Sequence, residues 1–202
     1  MHLGRKMRKV YDACAAEYAD RTSKLEFFSG LEGELIGFCV RLDAKGTILD
    51  LGCGGGRDSE YFVHQGWNVV ACDISGELLG ITRARSALVS VVQADMMRLP
   101  FRENCFVGAW VCASMVHIAL GQHMTALKEL FRVLISGGTV AISMKAGTGE
   151  GWKTGGLMDG PRWFSHVEPS SFVDVMESAG FSDVSTSWSG RGAWFIAVGV
   201  KA

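Results

Sequence analysis

The stretch "ILDLGCGGGRDS", residues 48–59, constrains this chain more than any other. An apolar run of β-forming residues ends on Asp50 and passes within two positions into Gly52, Gly54 and Gly56, a backbone nearly stripped of side chains. A strand that turns on glycine into a helix is the opening unit of an open α/β sheet, whose ligands bind at the carboxyl ends of the strands. Glycine at that turn accepts positive φ and lets a ligand approach the main chain.

The remaining chain repeats the alternation. The runs "TILDL", "WNVVACD", "SVVQAD", "CFVGAWVC" and "GTVAISM" are separated mostly by amphipathic stretches. Continuously apolar strands are covered on both faces, which predicts a parallel sheet with helices on each side. Ahead of the first strand, Tyr11, Cys14, Ala15 and Tyr18 share one helical face within residues 7–28, and Leu31, Leu35, Phe38, Cys39 and Leu42 share another within 31–42. Two helices are expected there. Between the fourth and fifth strands, Met124, Leu127, Phe131 and Leu134 line one helix face, with "SGG" as the terminator. Residues 146–168 are glycine-rich and too long for a passive connection. "PSSFVDVMESAGF" is a helix opened by proline, and "SDVSTSWS" and "AWFIAVGV" are joined too closely to be anything but antiparallel.

One domain over residues 1–202 is the expected organisation: N-terminal helices to 44, a ligand-binding core over 45–145, a lid over 146–168, and a helix with a strand hairpin over 169–202. Apolar residues make up 48% and charged residues 20%, so the chain can bury a core. A net charge of −1 gives no basic footprint for nucleic acid or for an anionic membrane. No apolar run approaches the roughly 20 residues that span a bilayer, and the N-terminus lacks a secretory apolar core, so a cytoplasmic protein is expected. The six cysteines show no metal-ligand or disulfide spacing and read as small apolar residues.

The spacing of the glycines narrows the ligand. A dinucleotide fingerprint G-x-G-x-x-G started at Gly52 would need glycine where Arg57 stands. The pattern is instead acid-x-G-x-G-x-G, with Asp50 placed to accept hydrogen bonds from a ligand. Asp73 ends the second strand, where a carboxylate can take both hydroxyls of a ribose; alternatively it caps the turn before the helix that Ser75 begins. Asp95 follows the third strand, placed to accept from an adenine amine while Met96 packs on the ring. Acids therefore stand at three consecutive strand ends.

These stretches, with "ILDLGCGGGRDSEYFVHQGWNVVACDIS", "QADMMRLPF", "ASMVHI", "LKELFRVLISGGTVAISMK" and "DGPRWFSHVEPSSFVDVMESAGF", resemble the class I S-adenosylmethionine-dependent methyltransferases, in particular their small bacterial members. The resemblance covers about residues 45–182. It implies a Rossmann-like seven-stranded sheet, mostly parallel with an antiparallel last strand, and S-adenosylmethionine as cofactor, converted to S-adenosylhomocysteine. It further implies that Gly52, Cys53, Gly54 and Gly56 line the methionine part, with Asp50 near its amino group. Asp73 would take the ribose diol, Ile74 would pack on the adenine, Ser75 would be a further cofactor contact, and Asp95 and Met96 would recognise the adenine's edge and face. Ala113 and Ser114 would lie beside the sulfonium, and Tyr11 and Tyr18 would close over the cofactor. Arg57 would either pair with the cofactor carboxylate or sit on a helix surface.

Methyl transfer from a sulfonium is an in-line displacement in which alignment contributes about 7–11 kcal/mol and a general base roughly 10²–10⁴-fold. His117, past the fourth strand, is the first candidate base, or else a histidine satisfied by backbone; His166 is the second, and His2, His64 and His123 read as surface residues. Trp152, Arg162, Trp163 and Phe164 in the 146–168 segment suit a lid over an apolar or aromatic acceptor, or anchor that segment to the core. Arg191, near the last hairpin, is a further candidate for that pocket. The absence of an N/D-P-P-aromatic motif and of a metal-binding acid pair favours a metal-free enzyme for a small-molecule acceptor. Two other readings stand beside it: a nicotinamide oxidoreductase on the same sheet, and a non-catalytic S-adenosylmethionine-binding domain.

Overall fold

The computed structural model describes residues 3–43 and 45–202, so His2 lies outside the described residues. Five strands come first along the sheet: β1 (Thr47–Leu51), β2 (Asn68–Asp73), β3 (Ser90–Gln93), β4 (Phe106–Val111) and β5 (Leu134–Lys145). They pair in parallel, as continuously apolar runs require. A C-terminal antiparallel hairpin, β8 (Phe181–Trp188) and β9 (Trp194–Lys201), adds to the β5 edge and gives the order β3-β2-β1-β4-β5-β9-β8. The expected seven-stranded sheet, mostly parallel with the last strand antiparallel, is what forms.

Strand alternation divides the core into two layers. Leu49, Leu51, Val111, Ile142 and Phe195 face α6 (His123–Val133) and α7 (Pro169–Ser178). Ile48, Ala71, Trp110 and Ile196 face the layer built by α3 (Leu31–Val40) and α4 (Arg57–His64). Phe38, Phe62 and Trp110 close that layer with ring centroids 5.4–5.9 Å apart. The crossover after β2 is α5 (Gly76–Arg85), whose N-cap Ser75 accepts from the Leu78 N–H at 3.2 Å.

Three expectations about elements need correction. Residues 7–28 are two helices, α1 (Leu3–Ala13) and α2 (Ala15–Arg21), followed by a 3₁₀ turn over Leu25–Phe27. Cys14, with ψ of 17°, interrupts them, yet the Cys14 N–H reaches Val10 O and the Tyr18 N–H reaches Cys14 O. The turn is broken without losing the helical face, so Tyr11 and Tyr18 remain neighbours. Leu134 is not the last residue of α6 but the first of β5, paired with Phe106; its extended ψ of 146° ends the helix. The "SGG" that follows is an irregularity inside β5, where the register against β4 shifts and Gly137 takes φ of 76°. Residues 146–168 contain a small antiparallel sheet of β6 (Glu150–Lys153) and β7 (Arg162–Ser165).

Candidate active site

At the carboxyl ends of β1, β2 and β4 lies a cavity. Its floor is the glycine turn. The Gly52 and Cys53 N–H groups both donate to Cys72 O, at 2.7 and 3.2 Å, which folds the turn across the end of β2. Gly52 has φ of 77°, and a Cβ there would overlap the Ser114 side chain. Ser114 is fixed in turn by donating to Leu51 O at 2.9 Å. Gly56, at φ of 81°, serves packing: its α-carbon lies against Thr82 of α5.

Asp73 stands at the centre of the cavity wall. One oxygen accepts from the Gly54 N–H at 3.0 Å and the other from the Ser75 N–H at 2.9 Å. The two readings of this residue are thus compatible, since it braces the turn and also lines the cavity. Burial pushes its carboxyl pKa up, against the three backbone N–H groups that pull it down. Each oxygen keeps lone pairs for a donor entering the cavity. Ile74, Asp95, Met96, Ala113 and Ser114 line the same space, with Asp95 oriented by the Met97 N–H at 3.0 Å.

Not every anticipated residue reaches this space. Asp50 points to the opposite side of the sheet, because positions 48 and 50 face the α4 layer while 49 and 51 face the other. There it accepts from the Ser59 hydroxyl at 2.6 Å, and burial, with Asp58 next, pushes its carboxyl up to about 8. Cys53 is buried against Thr82. Ser75 donates to Asp12 of α1 at 2.6 Å, serving as cap and tether. Arg57 pairs with Asp58 at 2.7 Å, donates to Thr22 O and lies 4.6 Å over the Phe28 ring. It borders a smaller recess shared with Tyr18, Gly52 and Gly54.

The roof is α1 and α2. Tyr11 and Tyr18 stand edge to face with centroids 5.2 Å apart, and Met7 and Gly4 complete the cover. Burial holds both phenols protonated, Tyr18 up to about 12. The Tyr11 hydroxyl is 2.8 Å from His117 Nε2, and His117 Nδ1 is 2.6 Å from the Trp163 carbonyl. A carbonyl only accepts, so Nδ1 carries the proton and Nε2 accepts from Tyr11. Burial pulls this imidazole down to about 4, leaving it neutral with a fixed tautomer.

The remaining candidates lie in the β6/β7 sheet. Phe164 packs edge to face on His117 at 4.8 Å, and Arg162 is buried over the Phe164 ring at 5.2 Å. Trp163 turns its carbonyl to His117 and its ring toward Trp152, which is exposed beneath Lys6. His166 is buried beside Lys153, 3.3 Å away, and does not line the cavity. His64 is exposed as expected, but His123 is not a surface residue: it is buried in α6, 3.0 Å from the Ser165 hydroxyl. Arg191 lies elsewhere, because the β8/β9 hairpin turns onto α3, where it pairs with Glu34 at 2.5 Å. Sequence reasoning missed Met7, Leu78, Cys112 and Ile118 in the cavity wall, and Asp12 as the tether of α1. Their apolar or surface character carries no signal without the fold. Among the described residues no three of His, Cys, Asp and Glu converge as a metal-ligand set.

A doubly wound sheet with an acid at the end of β2 facing a glycine-floored cavity defines a Rossmann-like nucleoside-binding domain. Residues 49–142 match the family model for the methyltransferase domain. It is 29% identical over 134 residues to malonyl-[acyl-carrier protein] O-methyltransferase of Pectobacterium atrosepticum, covering 63% of this chain and 51% of that one. It is 31% identical over 96 residues to demethylmenaquinone methyltransferase of Paenarthrobacter aurescens, covering 48% of this chain and 37% of that one. The chain thus spans about half or less of the length of these curated relatives. It shares its fold with Burkholderia thailandensis 1,6-didemethyltoxoflavin-N1-methyltransferase, solved with S-adenosylhomocysteine, at a TM-score of 0.75 and 18% identity over 100% of this chain and 92% of that one. Among the described residues no helix is long and apolar enough to cross a membrane.

Proposed function

We propose that the chain is an S-adenosylmethionine-dependent methyltransferase for a small-molecule acceptor, working by in-line displacement without a metal. The observation that carries the reading is Asp73, whose two oxygens are aimed by backbone N–H groups while it lines a cavity beside Ile74, Asp95 and Met96. This donor and acceptor set fits a nucleoside: a carboxylate for a diol, an apolar pair for a ring, and a second carboxylate for an amine. When bound, S-adenosylmethionine supplies a methyl group on a sulfonium that leaves without acid assistance.

The protein's own work is alignment, exclusion of water and, where the acceptor must lose a proton, its removal. The glycine turn and Ser114 fix the floor, and Tyr11 and Tyr18 form a roof that keeps water out. His117 offers the proton acceptor at Nε2, because its Nδ1–H is committed to the Trp163 carbonyl. Its low pKa makes it a weak base, suited to an acceptor that releases its proton late, so proximity supplies most of the acceleration. In this reading the β6/β7 segment is the acceptor-side lid. Six free cysteines and a near-neutral net charge support a reducing, cytoplasmic setting and an acceptor other than nucleic acid.

Calorimetric titration tests the reading. The wild-type chain is expected to bind S-adenosylmethionine and S-adenosylhomocysteine at micromolar Kd, and Asp73→Ala to lose both by at least 100-fold. A wild-type chain that bound neither would end the reading; a variant with undiminished affinity would remove Asp73 from the site.

A further inference from the structure

We propose that the methyl acceptor carries a carboxylate and that Arg162 is the residue that binds it. The proposal rests on the methyl-transfer reading and specifies its substrate class. Arg162 is 6% exposed, yet no carboxylate stands within ion-pair distance of it among the described residues. The other half-buried or buried arginines do not share this condition: Arg57 faces Asp58, Arg85 faces Glu60, Arg132 faces Glu129 and Arg191 faces Glu34. The hydrogen bond of the Arg162 guanidinium that is shortest runs from Nη2 to the Gly155 carbonyl at 2.6 Å, and its Nε is buried without a partner. A guanidinium does not deprotonate, so a buried one without a counter-ion is costly unless a ligand provides the charge.

Arg162 does not line the cavity itself but lies behind its His117 wall, one ring away. Arg162 and Phe164 alternate on one face of β7, and that face meets His117 through the Phe164 ring. The guanidinium also acts on the Tyr11 hydroxyl, the group bonded to His117 Nε2. An acceptor that displaces this hydroxyl to reach His117 therefore arrives beside Arg162. Its buried, unpartnered Nε–H, with an adjacent N–H, matches the two oxygens of a carboxylate.

The approach to this corner is cationic as well. Helix α1, which roofs the cavity, exposes Arg5, Lys6, Arg8 and Lys9, and its one acid, Asp12, is engaged by Arg8 and Ser75. Lys153 stands opposite Arg162 in the β6/β7 register. Glu150, the acid of β6, is engaged by the Leu120 N–H at 2.7 Å. In a chain of net charge −1 this concentration of positive charge is local, and it steers anions toward the roof helix.

The test is calorimetry at saturating S-adenosylhomocysteine with acids and their amides: butyrate and butyramide, benzoate and benzamide, succinate and succinamide. At least one acid is expected to bind the wild-type chain tenfold or more tightly than its amide, and to lose tenfold or more in Arg162→Gln, with Arg162→Lys between. Equal binding of acids and amides, or undiminished acid binding by Arg162→Gln, overturns the proposal while S-adenosylhomocysteine binding leaves the methyl-transfer reading standing. Failure of S-adenosylhomocysteine to bind the wild-type chain overturns that reading and the proposal with it. The acid and amide comparison needs no variant, so a misfolded Arg162→Gln does not remove the test.

Discussion

His117 is held from both sides, and the consequence can be read one residue at a time. Its Nδ1–H is tied to the Trp163 carbonyl and its Nε2 accepts from Tyr11, so protonating Nε2 forces the Tyr11 hydroxyl to turn from donor to acceptor. Burial acts in the same direction and takes the imidazole from 6.5 to about 4. A histidine with a depressed folded pKa is neutral across the whole physiological range. In an NMR titration of the ligand-free protein, the His117 ring protons are expected to keep their shifts between pH 8 and 5 and to move only below that. A His117 midpoint near 6.5 would mean that the roof is open in solution.

At the scale of elements, the roof helix α1 is attached to the core through a few side chains. Tyr11 reaches His117, Asp12 reaches Ser75, and Met7 is buried in a small cluster with Leu78 and Met158. Tyr11→Phe keeps the ring packing and leaves the Nε2 acceptor unpaired, at about 1–3 kcal/mol. Because α1 contributes little to the main sheet layers, the cost should fall on the helix itself. Native-state hydrogen exchange of the α1 amides should speed up about tenfold or more, with the β4 amides unchanged. Equal acceleration in both would show that the helix opens only with the whole domain. The same few contacts explain what the sequence could and could not disclose. β1, β2 and β4 were legible because burial on both faces leaves an unbroken apolar run, and the glycine turn was legible because Gly52 has no room for a Cβ. The break at Cys14 was not, since the helical periodicity continues through it. The β6/β7 sheet was hidden by "GEGWKTGG", in which few residues favour strands and tertiary packing on His117 decides the structure. Arg191 was misplaced because nothing local tells which way a hairpin folds, whereas Asp73 and Asp95 could be placed from strand ends alone.

For the whole molecule, the buried acid beneath the turn makes stability depend on pH in an unusual sense. Asp50 has an ordinary pKa of 3.8 when unfolded and about 8 when folded, because burial and then Asp58 disfavour its charge. The folded state therefore holds a proton that the unfolded chain releases, and stability contributed by the neutral acid is lost as pH rises from 3.8 through 8. His117 has the opposite sign: the unfolded chain binds the extra proton, so its share of stability is gained between about pH 4 and 6.5. The two slopes oppose each other below 6.5, and above it only that of Asp50 remains. Between pH 6.5 and 8 the wild-type chain should lose on the order of 2 kcal/mol, at about 1.4 kcal/mol per pH unit. For a domain of this size that is a fall in Tm of about 4–8 °C. Asp50→Asn keeps the shape and still accepts from Ser59 without a titrating proton, so its Tm should be nearly level over the same window. Denaturation scans of the two proteins at half-unit intervals decide the point: parallel curves would mean that Asp50 is ionised in the folded protein and that its charge is compensated through the turn, whereas convergence toward low pH with a gap that widens from about pH 4 to 8 identifies a neutral carboxylic acid as part of the sheet's core.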